Sequence, residues 1–271
     1  MISANKLVCV ASVLAVGLLA GMAQASEAVK LASASKLIER ASYQAGASAT
    51  PALAKIVQAL TTQSGAQGNA VKYVDYYLGY ANHALAEDYI GQDDHKAGDY
   101  LDKAEAALQR AIHADPDFAE AHALLASVYG LEIGMHPIKG MWLGSRLGKQ
   151  MRRAGALAPR NPRVTLIRAI SDAYTPSAFG GSKTRAMREF GMAIEQFATY
   201  QPSNALAPTW GRAGAHALRG DAEVAAGQTA AAVRDYQAAL ALAPDYAAVK
   251  KALAKLHAPA SSPADSVTTD H

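Results

Sequence analysis

The chain has 271 residues, 26 of them Lys or Arg against 23 Asp or Glu, and 51% are hydrophobic, much of that content alanine. Such a chain can bury a sizeable core, and alanine in this quantity suits close helix packing better than sheets. The near balance of charge selects no class of partner, and a single cysteine, Cys9, excludes a disulfide framework.

Residues 1–25 have the layout of a cleaved secretory leader: Lys6 gives a positive start, Leu7 to Ala20 is apolar, and Ala23-Gln24-Ala25 precedes Ser26. Removal after Ala25 is expected, leaving a periplasmic or secreted chain with no transmembrane span. Cys9 leaves with the leader, and Ser26 stands where a lipoprotein would need a cysteine. Export also disfavours nucleic acid as a partner.

In residues 26–69, Val29, Ala32, Leu37, Ile38 and Ala41 recur at helical spacing. Thr50 offers an N-cap with Pro51 at the first helical position, and Leu53, Ile56, Val57 and Leu60 form a second apolar stripe. A Ser/Gly/Gln turn, Ser64 to Asn69, closes this first helix pair. The repeat domain follows, residues 70–257. Its first pair, Ala70 to Asp117, opens with a helix carrying Tyr73, Tyr76, Tyr77 and Tyr80 and ends at Asp115-Pro116. The next runs from Phe118 to Ala158 and stops before Pro159. Another starts after Asn161-Pro162, breaks at Pro176 to Gly181, where Ser182 caps the continuing helix, and resumes through Phe190. The last pair is Gly211 to Tyr246, and Ala247 to Leu256 reads as a short terminal helix. Residues 258–271 form a Pro/Ser/Thr/Asp tail with too few apolar residues to order it.

Pro116, Pro159, Pro202 and Pro244 are 43, 43 and 42 residues apart. Each follows a helix with two apolar or small residues four apart and an alanine three further on: Ala104, Leu108 and Ala111; Leu147, Met151 and Ala154; Ala186, Phe190 and Ala193; Ala232, Tyr236 and Ala239. Self-similarity at a fixed period marks a stacked array in which each hairpin shares its apolar face with its neighbours. The expected fold is all-α, an α-solenoid of stacked antiparallel helix pairs.

Leu78-Gly79, Leu125-Ala126-x2-Tyr129, Ala186-x3-Phe190, Ala232-x3-Tyr236 and the prolines resemble the tetratricopeptide-repeat (TPR) family from about Ala70 to Leu256. The chain departs from that pattern at Asn82, which replaces the first-helix tyrosine. It also lacks the usual tryptophan, and its period is about nine residues longer than the usual 34. The period also suits HEAT-like repeats, with the same architecture. The resemblance implies that Tyr76, Tyr80 and His83 face a concave groove used for peptides. The family's carboxylate clamp of Lys and Asn is not recognisable, since the next repeat offers Ala123 and Ser127 there.

Leu131 to Gly148 is a long connection with Met135, Trp142 and three glycines; Trp142 beside Arg146 and Lys149 suits a protein contact. From Ile133 to Ser171 there is no acid and there are eight bases, so an anionic surface is a further candidate partner. Lys183 follows Ser182 rather than the glycine of a phosphate loop, and no metal-ligand or nucleophile motif occurs. The expected function is non-catalytic, with no cofactor: an exported scaffold binding a protein or peptide partner in the cell envelope through its groove and the 131–148 connection. The alternative is a small-ligand-binding periplasmic accessory of a transport system, with a tyrosine-lined pocket.

Overall fold

The computed structural model describes residues 31–44, 49–63 and 70–257; the expected leader, the expected turn at Ser64 to Asn69 and the expected tail lie outside these residues. The described residues contain eleven helices and no strand. After α1 (31–42) come α2 (Ala49–Thr61), α3 (Val71–Tyr89), α4 (Asp94–Ala114), α5 (Ala119–Met135), α6 (Gly140–Leu157), α7 (Pro162–Tyr174), α8 (Lys183–Thr199), α9 (Arg212–Ala225), α10 (Thr229–Leu242) and α11 (Ala247–His257). Consecutive helices α3 and α4, α5 and α6, α7 and α8, and α9 and α10 pack as hairpins, and each hairpin touches the next. The molecule is an α-solenoid.

Local chemistry sets the helix ends. Asp93 accepts from the Lys96 N–H at 3.1 Å, Asn161 from Arg163 at 3.0 Å with Pro162 at the first turn, and Ser182 from Arg185 at 3.2 Å. Each side chain satisfies an amide that a helix start leaves without a partner. Thr50 does not play that part. Because α2 begins at Ala49, Thr50 lies in its first turn, and its hydroxyl donates to the Asp88 carboxylate on α3. The break at Pro176 is a 3-10 turn, Ser177–Phe179.

Small residues seat large ones within the hairpins. A Cβ on Gly79 would lie 2.6 Å from Leu108 Cγ, and one on Gly220 would lie 2.7 Å from the Tyr236 ring. These contacts let α3 approach α4 and α9 approach α10. The main core runs from Leu31 to Ala215. Ala217, Tyr236, Ala239 and Val249 form a separate cluster under the last helices.

Around Pro202, residues 200–211 form a non-helical segment with a turn in which the Ala207 N–H donates to the Asn204 carbonyl at 3.2 Å, and it crosses to α3, where Leu206 and Trp210 meet Tyr77 and Tyr76. Gly211 ends it with φ of 107°, a left-handed angle suited to glycine. The first helix also reaches the far end of the array. Ser35 Oγ accepts from the Thr209 N–H at 3.0 Å and Glu39 from the Gly211 N–H at 2.7 Å. The Tyr43 ring stacks on Tyr246 with centroids 4.0 Å apart, and the Ala247 N–H donates to the Tyr43 carbonyl at 2.9 Å. Residues 31–44 are thus a clasp between the start and the end of the solenoid.

Candidate functional site

The resemblance places Tyr76, Tyr80 and His83 in a concave groove; the structure buries them at 0%, 8% and 6% exposure. The occupant is the chain itself. Trp210 stacks on Tyr80 with centroids 4.7 Å apart and donates its indole N–H to the Tyr76 hydroxyl at 2.9 Å. The Tyr77 hydroxyl donates to the Leu206 carbonyl at 2.8 Å, and Asn204 donates to the Tyr73 hydroxyl at 2.8 Å. Desolvation holds the phenols of Tyr76 and Tyr80 well above their ordinary pKa, so they remain neutral. His83 bonds through Nε2 to Ser127 Oγ at 2.9 Å, and its Nδ1 lies 3.4 Å from a Glu87 carboxylate oxygen. A partner reaches Tyr76 and Tyr80 only by displacing Trp210 and the 200–211 segment, whereas His83 is held against α5.

Arg163 fixes that segment. The guanidinium is fully buried, donates to the Trp210 carbonyl at 3.1 Å, lies 3.7 Å from Glu120 and sits 4.4 Å from the centre of the Tyr200 ring. A buried cation needs such compensation, and the carboxylate, carbonyl and ring supply it together. The sequence counts Arg163 only among the bases of an acid-free stretch.

That stretch is not an open basic face. Five of its eight bases find carboxylates: Lys139 on Glu132, Arg146 on Glu105 at 3.9 Å, Arg153 on Asp117 at 2.6 Å, Arg163 on Glu120, and Arg168 on Glu189 at 2.9 Å. Neighbouring helices return the acids that the segment lacks.

Trp142 and Arg146 are placed otherwise. Trp142 is 51% exposed at the start of α6, Met141 beside it 81%, and Ile138 in the preceding 3-10 turn, Pro137–Lys139, 68%. Arg146 lies one helical turn beyond Trp142, with its side chain mostly in solvent. The structure therefore separates the five residues into an internal group on α3 and a surface corner on α6.

One feature missed by the sequence reading is a cleft of about 490 Å³ between α2, α3 and α4, with Leu78, Asn82 and Leu85 on α3, Val57 on α2, and Lys103 and Arg110 on α4. The signal was present in Asn82. In the next repeat the equivalent position is Tyr129, which is buried and donates its hydroxyl to Glu105 at 2.9 Å across the matching space between α4, α5 and α6. Asparagine leaves that volume unfilled. Among the described residues, no three of His, Cys, Asp and Glu come together as a metal site, and no helix is long and apolar enough to cross a membrane.

No protein-family model matches the chain, and no curated protein matches it in sequence. Among solved structures, it is similar to the HusA haemophore from Porphyromonas gingivalis, with a TM-score of 0.53 and 23% identity over 64% of this chain and 84% of that one. TTC0263, a thermophilic TPR protein of Thermus thermophilus, gives a TM-score of 0.47 at 13% identity, over 77% of this chain and 89% of that one. The APC/C hetero-tetramer Cut9-Hcn1 gives 0.36 at 15% identity, over 83% and 48%. The first likeness is one of fold.

Proposed function

We propose that the chain is an exported, non-catalytic helical-repeat protein that docks a protein partner in the cell envelope on the corner formed by Ile138, Met141, Trp142 and Arg146. The observation that carries this reading is the exposure of three large apolar side chains on one corner, beside a cation, while the tyrosine-lined groove is filled by the chain's own segment. Contiguous exposed apolar residues with a tryptophan and an arginine are the composition of an interface centre. The leader composition supports export, and an envelope fraction whose N-terminus reads Ser26 is the expected result. A photo-crosslinking residue placed at position 141 should give a defined adduct in cells, and Trp142→Ala should abolish it. Labelling no greater than from an exposed control position on α11 would refute the docking corner.

A second reading, a small-ligand carrier, is favoured by the cleft between α2, α3 and α4, whose volume is typical of ligand pockets. HusA is a haemophore, which makes haem a ligand to test. The cleft lining has no histidine, cysteine or methionine, and Tyr100 is its one phenol, so iron ligation there would fall to Tyr100. Haem titration of the wild type and of Tyr100→Phe, followed by the Soret band, tests this form of the reading.

A further inference from the structure

The cleft between α2, α3 and α4 has a chemistry that selects its occupant. Its walls are apolar at Ala54, Val57, Leu78, Leu85 and Ala106. Asn82 lies in the floor at 2% exposure and donates its amide N–H to the Leu78 carbonyl at 2.7 Å. Because a carbonyl can only accept, this bond fixes the amide orientation and leaves Asn82 Oδ1 as the free end. That oxygen is buried and has no hydrogen-bond partner. A buried acceptor without a donor is costly, so the site is incomplete until something supplies an N–H or O–H. At the rim, the Lys103 ammonium lies 4.9 Å from the centre of the Tyr100 ring, and among the described residues it has no carboxylate partner. Arg110 is already paired with Asp75 at 2.8 Å.

We propose that this cleft binds an amphipathic carboxylic acid that carries a hydroxyl or amide N–H near its head: the chain lies against Val57, Leu78 and Leu85, the hydroxyl or amide donates to Asn82 Oδ1, and the carboxylate meets Lys103. The proposal deepens the carrier reading above and is independent of the docking corner. Its basis is the comparison of Asn82 with Tyr129. The repeat closes this space with a tyrosine one hairpin later and omits it here, leaving a polar acceptor under an apolar trough with a cation at its mouth.

Calorimetric titration of the full chain with β-hydroxydecanoic acid, decanoic acid and decanol tests it. The hydroxy acid should bind tightest, with the plain acid about tenfold weaker for the missing donor. Asn82→Tyr should refill the space and abolish binding of all three probes. Lys103→Glu changes an exposed side chain, so it leaves the fold intact; it should weaken both acids about tenfold or more and leave decanol unchanged. If none of the probes binds but haem does, the carrier reading stands and this ligand class falls. If neither the probes nor haem bind, both fall. Decanol binding as tightly as the acids, or Lys103→Glu binding them with wild-type affinity, overturns the assignment of the head group. Wild-type affinity in a folded Asn82→Tyr chain places the ligand elsewhere and overturns the site.

Discussion

Two glycines on similar helices carry opposite expectations, because the space around them differs. A methyl group at Gly220 would meet the Tyr236 ring at 2.7 Å, and that ring is held by its hydroxyl on Asp221 at 2.6 Å. Gly98, inside α4, has nothing within 4 Å of its would-be Cβ. Gly98→Ala should therefore gain up to about 1 kcal/mol of helix propensity. Gly220→Ala gains the same propensity but must overpack the core, at a cost of about 1–3 kcal/mol. A net loss is expected, and paired urea titrations measure both. Asp235 sets an acid limit on the same helix pair. Burial pushes its carboxyl upward, but hydrogen bonds from Arg219 and His216 outweigh this and lower its pKa from 3.8 to about 2. Its folded pKa is depressed, so its contribution, on the order of 2 kcal/mol, is present above pH 3.8 and is lost as pH falls toward 2. The stability gap between wild type and Asp235→Asn should accordingly be wide at neutral pH and narrow at pH 3.

Among the helices, α1 docks through Leu31, Ala34, Ile38 and Ala41 in the core and through a group of polar contacts to the far end of the array. Glu39 accepts from the Gly211 N–H and from the Tyr43 hydroxyl, and that hydroxyl also accepts from the Gly214 N–H at 3.1 Å. Desolvation raises the pKa of Glu39 above 4.5, against the lowering effect of the Gly211 and Tyr43 bonds and the Arg163 charge. A raised folded pKa means that the folded state takes up the proton more readily. Its stabilising contribution is complete below pH 4.5 and is lost as pH rises through the folded value. Amide exchange in residues 31–42 should slow between neutral and mildly acidic pH in the wild type. In Glu39→Gln, which keeps an acceptor without the charge, the rate corrected for intrinsic exchange should be flat. An unchanged slope in that variant would assign the effect to another group.

For the whole molecule, the clasp changes how a solenoid is expected to unfold. An open array can fray from either end, since each hairpin touches only its neighbours. Here α1 joins α3 to the last hairpin, so the ends are coupled by Tyr43 on Tyr246 and by Glu39 on Gly211. The two tryptophans report on this directly. Trp210 is 7% exposed under the clasp, and Trp142 stands in solvent on α6. Iodide should quench only the Trp142 fraction of the native fluorescence, and Trp142→Phe should leave an emission nearly immune to iodide. Tyr43→Ala should restore quenching of Trp210 at denaturant concentrations where the helix content is still native. Loss of both signals together would mean that the clasp opens only with the array.

The repeat is legible along the chain before any fold is known. Proline punctuation, capping side chains and recurring triplets such as Ala104, Leu108 and Ala111 act within one hairpin, so their order along the chain already states their geometry. The sequence also contained the mark of the cleft, Asn82 in place of a tyrosine, but a missing side chain becomes a cavity only when α2 and α4 stand on either side of it. Tertiary structure alone decided which surfaces are free. Trp210 meets Tyr76 from 134 residues away, and Ser35 meets Thr209 from 174. No periodicity encodes such pairs, because they join a segment without a pattern to a helix face that local rules could equally leave open. Groove occupancy and charge neutralisation are properties of juxtaposition, and only the folded chain fixes them.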